Sequence, residues 1–452
     1  MLNTPLNPLE YYQPTLPHLP LPPATIEPIR SPGSVQSSRR HRRSSDLNHI
    51  RNQDRSCHDW YRFVLSFPPH LVQKYLTDFA IRSDQCVLDP FCGTGTTVVE
   101  CKKQGVPSVG VEANQMAWFA GSTKLDWSID PNRLIAHATQ IAEFAQADLD
   151  QPLCTLSQER SQLLLKNSIS ELPLHKALVL LDQIEKHKDE YCDRHERLAL
   201  AKILVYSISN LKFAPEVSVG KSKQDAPVIE LWIDEIQQIA TDLKYLRTLP
   251  DTPATIHHAD SRNLLEVLEP NSIDAVITSP PYPNEKDYTR TTRLESVLLG
   301  FLETKADLRT LKQGLMRSNS RCVYRSDNDD QWVANHSEIQ RIANEIEAKR
   351  IELDKTSGFE RQYARATKLY FGGMAKHLAD LRQALRPNAQ LAYVVGDQAS
   401  YLRVMIRTGE LIADLARSLG YEVTDIELFR TRLATATKEQ LREEVVLLKW
   451  KG

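Results

Sequence analysis

The 452-residue chain is 41% apolar and carries a formal net charge of −2. This length and composition allow a large buried core, in one elaborated domain or two to three smaller units. The balanced charge excludes a protein that is basic throughout, so any nucleic-acid contact must come from a local basic face. With no run of about 18 uncharged apolar residues and a proline-rich start that lacks a signal-peptide pattern, the sequence predicts a cytosolic protein.

The seven cysteines are widely and irregularly spaced. No CxxC pair suggests a zinc or redox centre, so we expect reduced thiols and no metal at the functional site.

Residues 1–55 begin with a proline-rich run and continue into a basic, serine-rich stretch. Such a composition forms a core poorly and predicts a disordered segment. A second interpretation, compatible with the first, is a basic arm that contacts phosphates through Arg39, Arg40, Arg42 and Arg43.

From about Phe63 onward, short β-branched apolar runs alternate with longer amphipathic stretches, a pattern typical of an α/β fold. The pattern predicts seven strands: Cys86–Leu88, Ser108–Val111, Ala254–His257, Ala275–Thr278, Leu391–Val395, Glu422–Phe429 and Val445–Trp450. We expect a mainly parallel sheet with helices on both faces and the last strand inserted antiparallel.

Two helix-rich segments interrupt this pattern. We expect 126–250 to form a helical insertion that recognises the target. We expect 301–367 to form a charged helical insertion that contacts the substrate. The α/β core then comprises 56–125, 251–300 and 368–452.

A glycine-rich turn follows the first predicted strand, in VLDPFCGTGTTVVE at 87–100. Gly93 and Gly95 remove side chains where a ligand must approach the backbone, and the helix start that follows favours a carboxylate or phosphate. A dinucleotide fold would need a third glycine where Val98 stands, and the Gly-Lys-Ser/Thr of a phosphate-binding P-loop is missing. The turn therefore favours a different nucleoside ligand.

Two acidic residues follow other strands of the predicted sheet. Glu112 ends the second strand, where a carboxylate can accept both hydroxyls of a ribose. Asp260 follows the third strand and is a candidate partner for the adenine amino group of the same nucleoside. A surface or helix-capping role is the simpler alternative for each.

The motif that indicates chemistry is Ser279, Pro280, Pro281 and Tyr282, directly after an apolar strand. Consecutive prolines fix an extended backbone and leave carbonyls without competing amide donors. An exocyclic amine on a base is a poor nucleophile because its lone pair is delocalised into the ring. The Ser279 side chain and the Pro280 carbonyl can accept its two hydrogens and point that lone pair at a sulfonium methyl group, while Tyr282 can stack on a base lifted out of its helix.

These motifs together resemble those of the DNA amino-methyltransferases, which make N6-methyladenine or N4-methylcytosine and often belong to restriction-modification systems. The resemblance covers roughly 60–125 and 254–300. It implies a class I, Rossmann-like fold that binds S-adenosylmethionine. By this resemblance, the loop of Asp89, Phe91, Gly93 and Gly95 would hold the methionine part of the cofactor. Glu112 would bind the cofactor's ribose, and Phe67 would lie beside its methionine end. The family's [DNS]PP[YFW] motif corresponds to residues 279–282.

A serine in the first position of that motif is commoner among the N4-cytosine enzymes, so the resemblance favours N4 of cytosine. The cofactor motif precedes the catalytic motif here, whereas many N4-cytosine enzymes have the reverse order. N6-adenine methylation is therefore the first alternative, followed by RNA guanine-N2 methylation, a catalytically silent DNA-specificity module, and small-molecule N-methylation. Cys92 suggests ring-carbon methylation, but its place inside the glycine loop indicates packing.

The implied partners are double-stranded DNA and a cognate restriction endonuclease, with the protein at the nucleoid. We expect DNA contacts from a set of basic residues in or near the insertions: Lys212–Lys223, Arg290, Arg293, Arg317, Arg321 and Arg325.

Overall fold

Seven strands form one sheet in the computed structural model of the chain. They are β1 (Val87–Asp89), β2 (Ser108–Glu112), β3 (Ala254–His258), β4 (Ile273–Thr278), β5 (Leu385–Gly396), β6 (Glu422–Leu433) and β7 (Gln440–Lys449). The order across the sheet is β3-β2-β1-β4-β5-β7-β6. Strands β1 to β5 are parallel to one another, and β7 is antiparallel to both β5 and β6. The predicted class I methyltransferase fold, with its last strand inserted antiparallel, is confirmed.

The structure describes residues 50–62, 66–214, 216–284, 286–433 and 440–452. Most of the predicted disordered segment 1–55, including Arg39, Arg40, Arg42 and Arg43, lies outside the described residues.

The fourteen helices of these ranges follow in chain order: α1 (Pro69–Asp78), α2 (Thr96–Lys103), α3 (Gln115–Lys124), α4 (Pro131–Ala147), α5 (Gln158–Leu163), α6 (Glu171–Lys186), α7 (Asp193–Ile203), α8 (Val228–Leu246), α9 (Tyr288–Thr291), α10 (Arg293–Leu298), α11 (Lys305–Gly314), α12 (Ser337–Glu352), α13 (Tyr363–Ala384) and α14 (Thr408–Ser418). None of the described helices combines the length and hydropathy that a membrane span requires.

The central strands are apolar on both sides because both faces of the sheet are covered. Val87 and Ile277 pack into one buried cluster with residues of α1. The alternate positions Leu88 and Val276 pack into another cluster with residues of α13 and α14. Alternate side chains of each strand thus pack into the hydrophobic core on opposite faces of the sheet, and this packing fixes the register of the strands.

The first predicted insertion, 126–250, contains α4 to α8 and an antiparallel hairpin of Leu211–Ala214 with Glu216–Val219. The second, 301–367, contains α11, α12 and the start of α13, which begins at Tyr363 and continues into the core. The domain limits and recognition roles assigned to these segments stay predictions.

Candidate active site

One cavity contains residues of both predicted motifs. It has a volume of about 320 Å³. Because β1 and β4 are parallel neighbours, the loops that follow them meet at the same carboxyl edge of the sheet, as predicted. The predicted site residues that line the cavity are Phe67, Phe91, Gly93, Glu112, Ser279, Pro280, Pro281 and Tyr282.

The glycine loop turns at two residues with positive φ. Gly93 has a φ of +54°, and a Cβ built there would meet nothing within 4 Å, so this position faces open space. Gly95 has a φ of +88°, and a Cβ there would lie 3.3 Å from the Cα atom of Gly121 in α3. Gly93 therefore leaves room for a ligand, whereas Gly95 permits the turn into α2 and its close packing on α3.

A buried lysine supports the glycine loop from behind. Lys124, at the end of α3, is 1% exposed, and its Nζ atom donates a hydrogen bond to the carbonyl of Thr94 at 3.1 Å. Burial lowers the pKa of Lys124 to about 8. No sequence motif marks this lysine as part of the site, because its role depends on how α3 packs against the loop.

Asp89 joins the glycine loop to the strand that leads into the second motif. Its side chain is fully buried, and Oδ1 accepts hydrogen bonds from Thr278 Oγ1 at 2.6 Å and from the Phe91 amide at 3.2 Å. Burial raises the pKa of Asp89 to about 6. Since Thr278 directly precedes Ser279, this hydrogen bond fixes the position of one motif relative to the other.

The carboxylate of Glu112 faces the glycine loop. Its Oε2 atom accepts the amide hydrogen of Gly93 and its Oε1 atom that of Asn114, each at 2.7 Å. A carboxylate oxygen has two lone pairs, so both oxygens can accept a further hydrogen bond from a ligand in the cavity. Burial raises the pKa of Glu112 to about 7.

The Ser279 hydroxyl is oriented by the neighbouring strand. Its Oγ atom donates a hydrogen bond to the backbone carbonyl of Val394 in β5, at 3.0 Å. A hydroxyl has one hydrogen and two lone pairs, so this bond uses the hydrogen and leaves the oxygen able to accept. Ser279 is thereby set up as an acceptor at the cavity wall.

The ring of Tyr282 packs against the end of β5. A Cβ atom on Gly396 would lie 3.0 Å from Cε2 of Tyr282, so the missing side chain of Gly396 makes room for this ring. Burial, assisted by the nearby Glu443 carboxylate, raises the pKa of Tyr282. The phenol therefore stays neutral and presents a partly buried aromatic surface to the cavity.

The segment after Tyr282 is held by residues from the second predicted insertion. Lys312 forms an ion pair with the buried Asp287, with Nζ 2.8 Å from Oδ2, and Asn319 donates its side-chain amide to the Lys286 carbonyl at 3.1 Å. Asp287 also caps α9 by accepting from the Thr289 amide. These bonds restrict the motion of the loop that carries Tyr282.

Asp260 lies beside an adjoining cavity of about 430 Å³, which shares Ala113 and Gly314 with the first. Both of its oxygens accept hydrogen bonds from Arg262, at 3.0 and 2.5 Å, and Arg262 also pairs with Asp329 at 2.6 Å. The structure thus separates Asp260 from the Ser279 cavity and engages it in an ion pair. Its contact with an adenine ring stays a prediction.

Several residues of the cavity wall were not predicted from sequence. Phe429 and Arg430 of β6 line the cavity with Glu443 of β7, and Arg430 donates to both Glu443 oxygens at 2.5 and 3.0 Å. The sequence predicts strands at Glu422–Phe429 and Val445–Trp450, which include Phe429 but end short of Arg430 and begin after Glu443. Their place at the site follows from the antiparallel insertion of β7 between β5 and β6.

One of the arginines predicted to contact DNA, Arg317, serves another purpose, so that prediction is wrong for it. Arg317 is 4% exposed, and its guanidinium pairs with Asp327 at 2.9 Å. Arg293 donates to the backbone carbonyls of Thr289 and Leu163 and stabilises the start of α10. The Arg317 guanidinium is not available to a phosphate, because its donors already satisfy groups within the fold, whereas a DNA contact by the partly buried Arg293 stays a prediction.

Cys92, 4% exposed, packs in the core below the glycine loop, and burial raises the pKa of its thiol. The thiol is therefore neutral, in agreement with its interpretation as a packing residue and not a nucleophile.

The residues present fit S-adenosylmethionine. Gly93 faces open space beside the helix start of α2, Glu112 offers acceptors at the end of β2, and the adjoining cavities meet near Ala113. A nucleoside with an amino-acid tail matches this arrangement of open backbone, carboxylate and elongated space.

Solved structures with some similarity include TrmN from Thermus thermophilus, at 10% identity over 88% of this chain and 52% of that chain, with a TM-score of 0.28. The rRNA methyltransferase aviRa from Streptomyces viridochromogenes matches at 9% identity over 91% of this chain and 94% of that chain, with a TM-score of 0.31.

The family model described as DNA methylase matches residues 32–118, which include the glycine loop and Glu112. The Type II methyltransferase M.BsoBI of Geobacillus stearothermophilus is 25% identical over 86% of this chain and 83% of its own length. The Type II methyltransferase M.AvaI of a Nostoc species is 21% identical over 86% of this chain and 84% of its own length. The chain is therefore similar to DNA amino-methyltransferases of restriction-modification type, and this similarity supports S-adenosylmethionine as its cofactor.

Proposed function

We propose that the chain is a Type II DNA methyltransferase that methylates N4 of cytosine in double-stranded DNA. The observation that carries the proposal is the Ser279 hydroxyl, which donates to Val394 and keeps its acceptor lone pairs beside the glycine-loop cavity. A serine at this position favours cytosine by resemblance to the N4-cytosine enzymes. The similarity to M.BsoBI and M.AvaI supports the Type II assignment.

In this proposal the glycine loop and Glu112 hold the cofactor. Gly93 gives the methionine part access to the backbone, Phe67 and Phe91 border that part, and Glu112 accepts the ribose hydroxyls. Asp260 is assigned to the adenine end, in the adjoining cavity. When bound, S-adenosylmethionine supplies an electrophilic methyl group on a sulfonium.

The second motif prepares the nucleophile. Ser279 Oγ and the Pro280 carbonyl accept the two hydrogens of the target amine, which turns the nitrogen lone pair out of conjugation and orients it for an in-line displacement. Pro281 keeps the backbone extended so that the two acceptors stay fixed. No covalent bond between the enzyme and the base is required.

Analysis of the reaction product tests the proposal. The full chain is incubated with labelled cofactor and unmodified genomic DNA, and the nucleosides are separated by mass. We expect N4-methylcytosine. N6-methyladenine alone would contradict the base assignment and retain the mechanism, whereas C5-methylcytosine would contradict both.

The same assay distinguishes the remaining alternatives. Methyl transfer to guanine N2 in RNA, with none to DNA, would favour the RNA enzyme. Cofactor binding without transfer to any DNA or RNA would favour a specificity module that lacks catalysis.

Tyr282 is proposed to capture the extruded base. Tyr282→Ala removes the stacking ring, so we expect DNA affinity in the presence of cofactor to fall by about 1–3 kcal/mol, as for aromatic stacking in single-strand binders. Tyr282→Phe keeps the ring and is the matched control. A mismatched target costs less to extrude and should partly rescue the alanine variant. Equal DNA affinity of the alanine and phenylalanine variants would contradict the stacking role.

Glu112 should give cofactor binding a pH dependence. Ribose hydroxyls donate to the charged carboxylate, so the affinity for the cofactor should rise as the pH rises through the pKa of about 7. At pH values below this pKa the carboxyl group is protonated, and the affinity should be lower. Calorimetry from pH 6 to 8 measures this effect. Glu112→Gln should flatten the profile, and Glu112→Ala should weaken binding by about 1.5–3 kcal/mol, the range for hydrogen bonds to a charged group. An unchanged profile in Glu112→Gln would assign the titration to another group.

The proposed partners are double-stranded DNA and a cognate restriction endonuclease. Target reading is assigned to the helical insertion 126–250, which also carries the hairpin with the exposed Lys212. Lys221 and Lys223 extend this basic stretch beyond the hairpin.

A further inference from the structure

A cluster of three potential metal ligands lies in the helical insertion. His137 is on α4, Cys192 directly precedes α7, and Glu196 is in the first turn of α7. One donor atom from each residue lies within 4.8 Å of the other two. Cys192 and Glu196 are four residues apart, and the Glu196 amide bonds to the Cys192 carbonyl at 3.0 Å, so a turn of helix places both on one face.

Only one of the two carboxylate oxygens of Glu196 has a hydrogen-bond partner among the described residues. Its Oε1 atom lies 2.6 Å from Nδ1 of His137. The Glu196 side chain is fully buried, and its Oε2 atom has no hydrogen-bond partner among the described residues. A buried oxygen without a partner costs free energy, which a bound cation would recover.

The second nitrogen of His137 is held as in metal-bound histidines. Its Nε2 atom lies 3.0 Å from the backbone carbonyl of His187, which can only accept. A ligating histidine typically donates its other ring hydrogen to such a carbonyl, which fixes the ring and makes the free nitrogen a better ligand. The His187 ring is itself stacked on Phe144 at 4.4 Å, so this carbonyl has a supported position.

We propose that His137 Nδ1, Cys192 Sγ and a Glu196 carboxylate oxygen bind one zinc-like divalent cation, with water as the fourth ligand. A thiolate, an imidazole and a carboxylate suit Zn²⁺, whereas Mg²⁺ and Ca²⁺ prefer oxygen ligands. Ligand atoms around tetrahedral zinc lie roughly 3.2–3.7 Å apart, so a shift of about 1 Å completes the site. The 15% exposure of the His137 side chain leaves a path for the water.

The neighbouring carboxylate of Asp189 is already engaged in an ion pair. Asp189 accepts from Arg133 Nη2 at 2.7 Å and Nε at 3.2 Å, and the Arg133 guanidinium stacks on Tyr191 at 4.4 Å. This ion pair favours water over Asp189 as the fourth ligand. The cation would join α4 to the start of α7, and none of its three ligand residues lines the Ser279 cavity.

Cobalt titration of the full chain, stripped of metal and of any affinity tag, tests the site. Co²⁺ reports tetrahedral geometry and thiolate ligation by absorption, independently of methyl transfer. We expect one equivalent to bind with a thiolate-to-cobalt band, and Zn²⁺ but not Mg²⁺ to displace it. Zn²⁺ should also raise the Tm of the wild-type protein, because it binds only the folded state.

Variants localise the signal. Cys192→Ser should lose the thiolate band and bind cobalt at least ~100-fold more weakly, since loss of even a supporting partner costs roughly 10–100-fold. Cys154→Ser, a partly exposed cysteine of the same insertion, is the matched control and should bind normally. The absence of a thiolate band in the wild-type protein, or its persistence in Cys192→Ser, would overturn the proposal.

Discussion

Gly95→Asp is expected to abolish binding of S-adenosylmethionine. The backbone at Gly95 has a φ of +88°, which disfavours any residue with a Cβ atom, and that atom would press on the Gly121 backbone at 3.3 Å. The new side chain would push the glycine loop away from α3 and so displace the backbone at Gly93, which faces the cavity. Isothermal calorimetry should detect no cofactor binding.

Gly105→Asp provides the matched control for this variant. Gly105 has a φ of +73° and lies just beyond the other end of α2, but a Cβ there would meet nothing within 4 Å. It therefore carries the same backbone strain and the same charge away from the cavity, and it should bind cofactor normally. Cofactor affinity of Gly95→Asp equal to that of Gly105→Asp would contradict the role of the glycine loop.

The sheet could be predicted from the sequence because its signals are local. The apolar run that becomes β4 predicts a buried strand, and the glycines after β1 predict a turn whatever the rest of the chain packs against it. Parallel strands place their following loops at one edge, so the meeting of Gly93 with Ser279 followed from the predicted fold alone.

The supporting contacts of the site could not be predicted, because they join residues far apart in the chain. Arg262 and Arg317 look like surface cations in the sequence, yet Arg262 pairs with Asp329, 67 residues away, and the buried Arg317 pairs with Asp327. Lys124 is equally unremarkable until α3 packs against the glycine loop. Charge and residue type predict a basic surface poorly where long side chains are used to tie loops together.

The insertion of β7 between β5 and β6 explains the unpredicted side of the cavity. Sequence periodicity assigns Phe429 to a strand but does not say which neighbour the strand chooses. Strand β7 pairs with β5 and β6 on its two sides, and that pairing places Phe429 and Glu443 at the cavity. Pairing partners depend on the whole sheet, and the sequence of one strand does not encode them.

Ser279→Ala is expected to lower turnover strongly while it leaves cofactor affinity nearly unchanged. If Ser279 Oγ acts only on the reacting amine, its loss removes an interaction made mainly in the transition state. Removal of one such polar group from a preorganised site lowers turnover by about 10²–10³-fold in other enzymes. Single-turnover methyl transfer measures the rate, and calorimetry measures cofactor binding.

Ser66→Ala is the matched control, because Ser66 lines the same cavity but lies outside the second motif. It should retain nearly full turnover. Ser279→Ala also breaks the hydrogen bond to Val394, so its Tm must be compared with that of the wild-type protein to exclude a loss of folding. In Ser279→Ala the Pro280 carbonyl would be the only remaining acceptor, and one acceptor cannot hold both hydrogens of the amine. A Ser279→Ala enzyme that folds and turns over normally would therefore contradict the proposed mechanism.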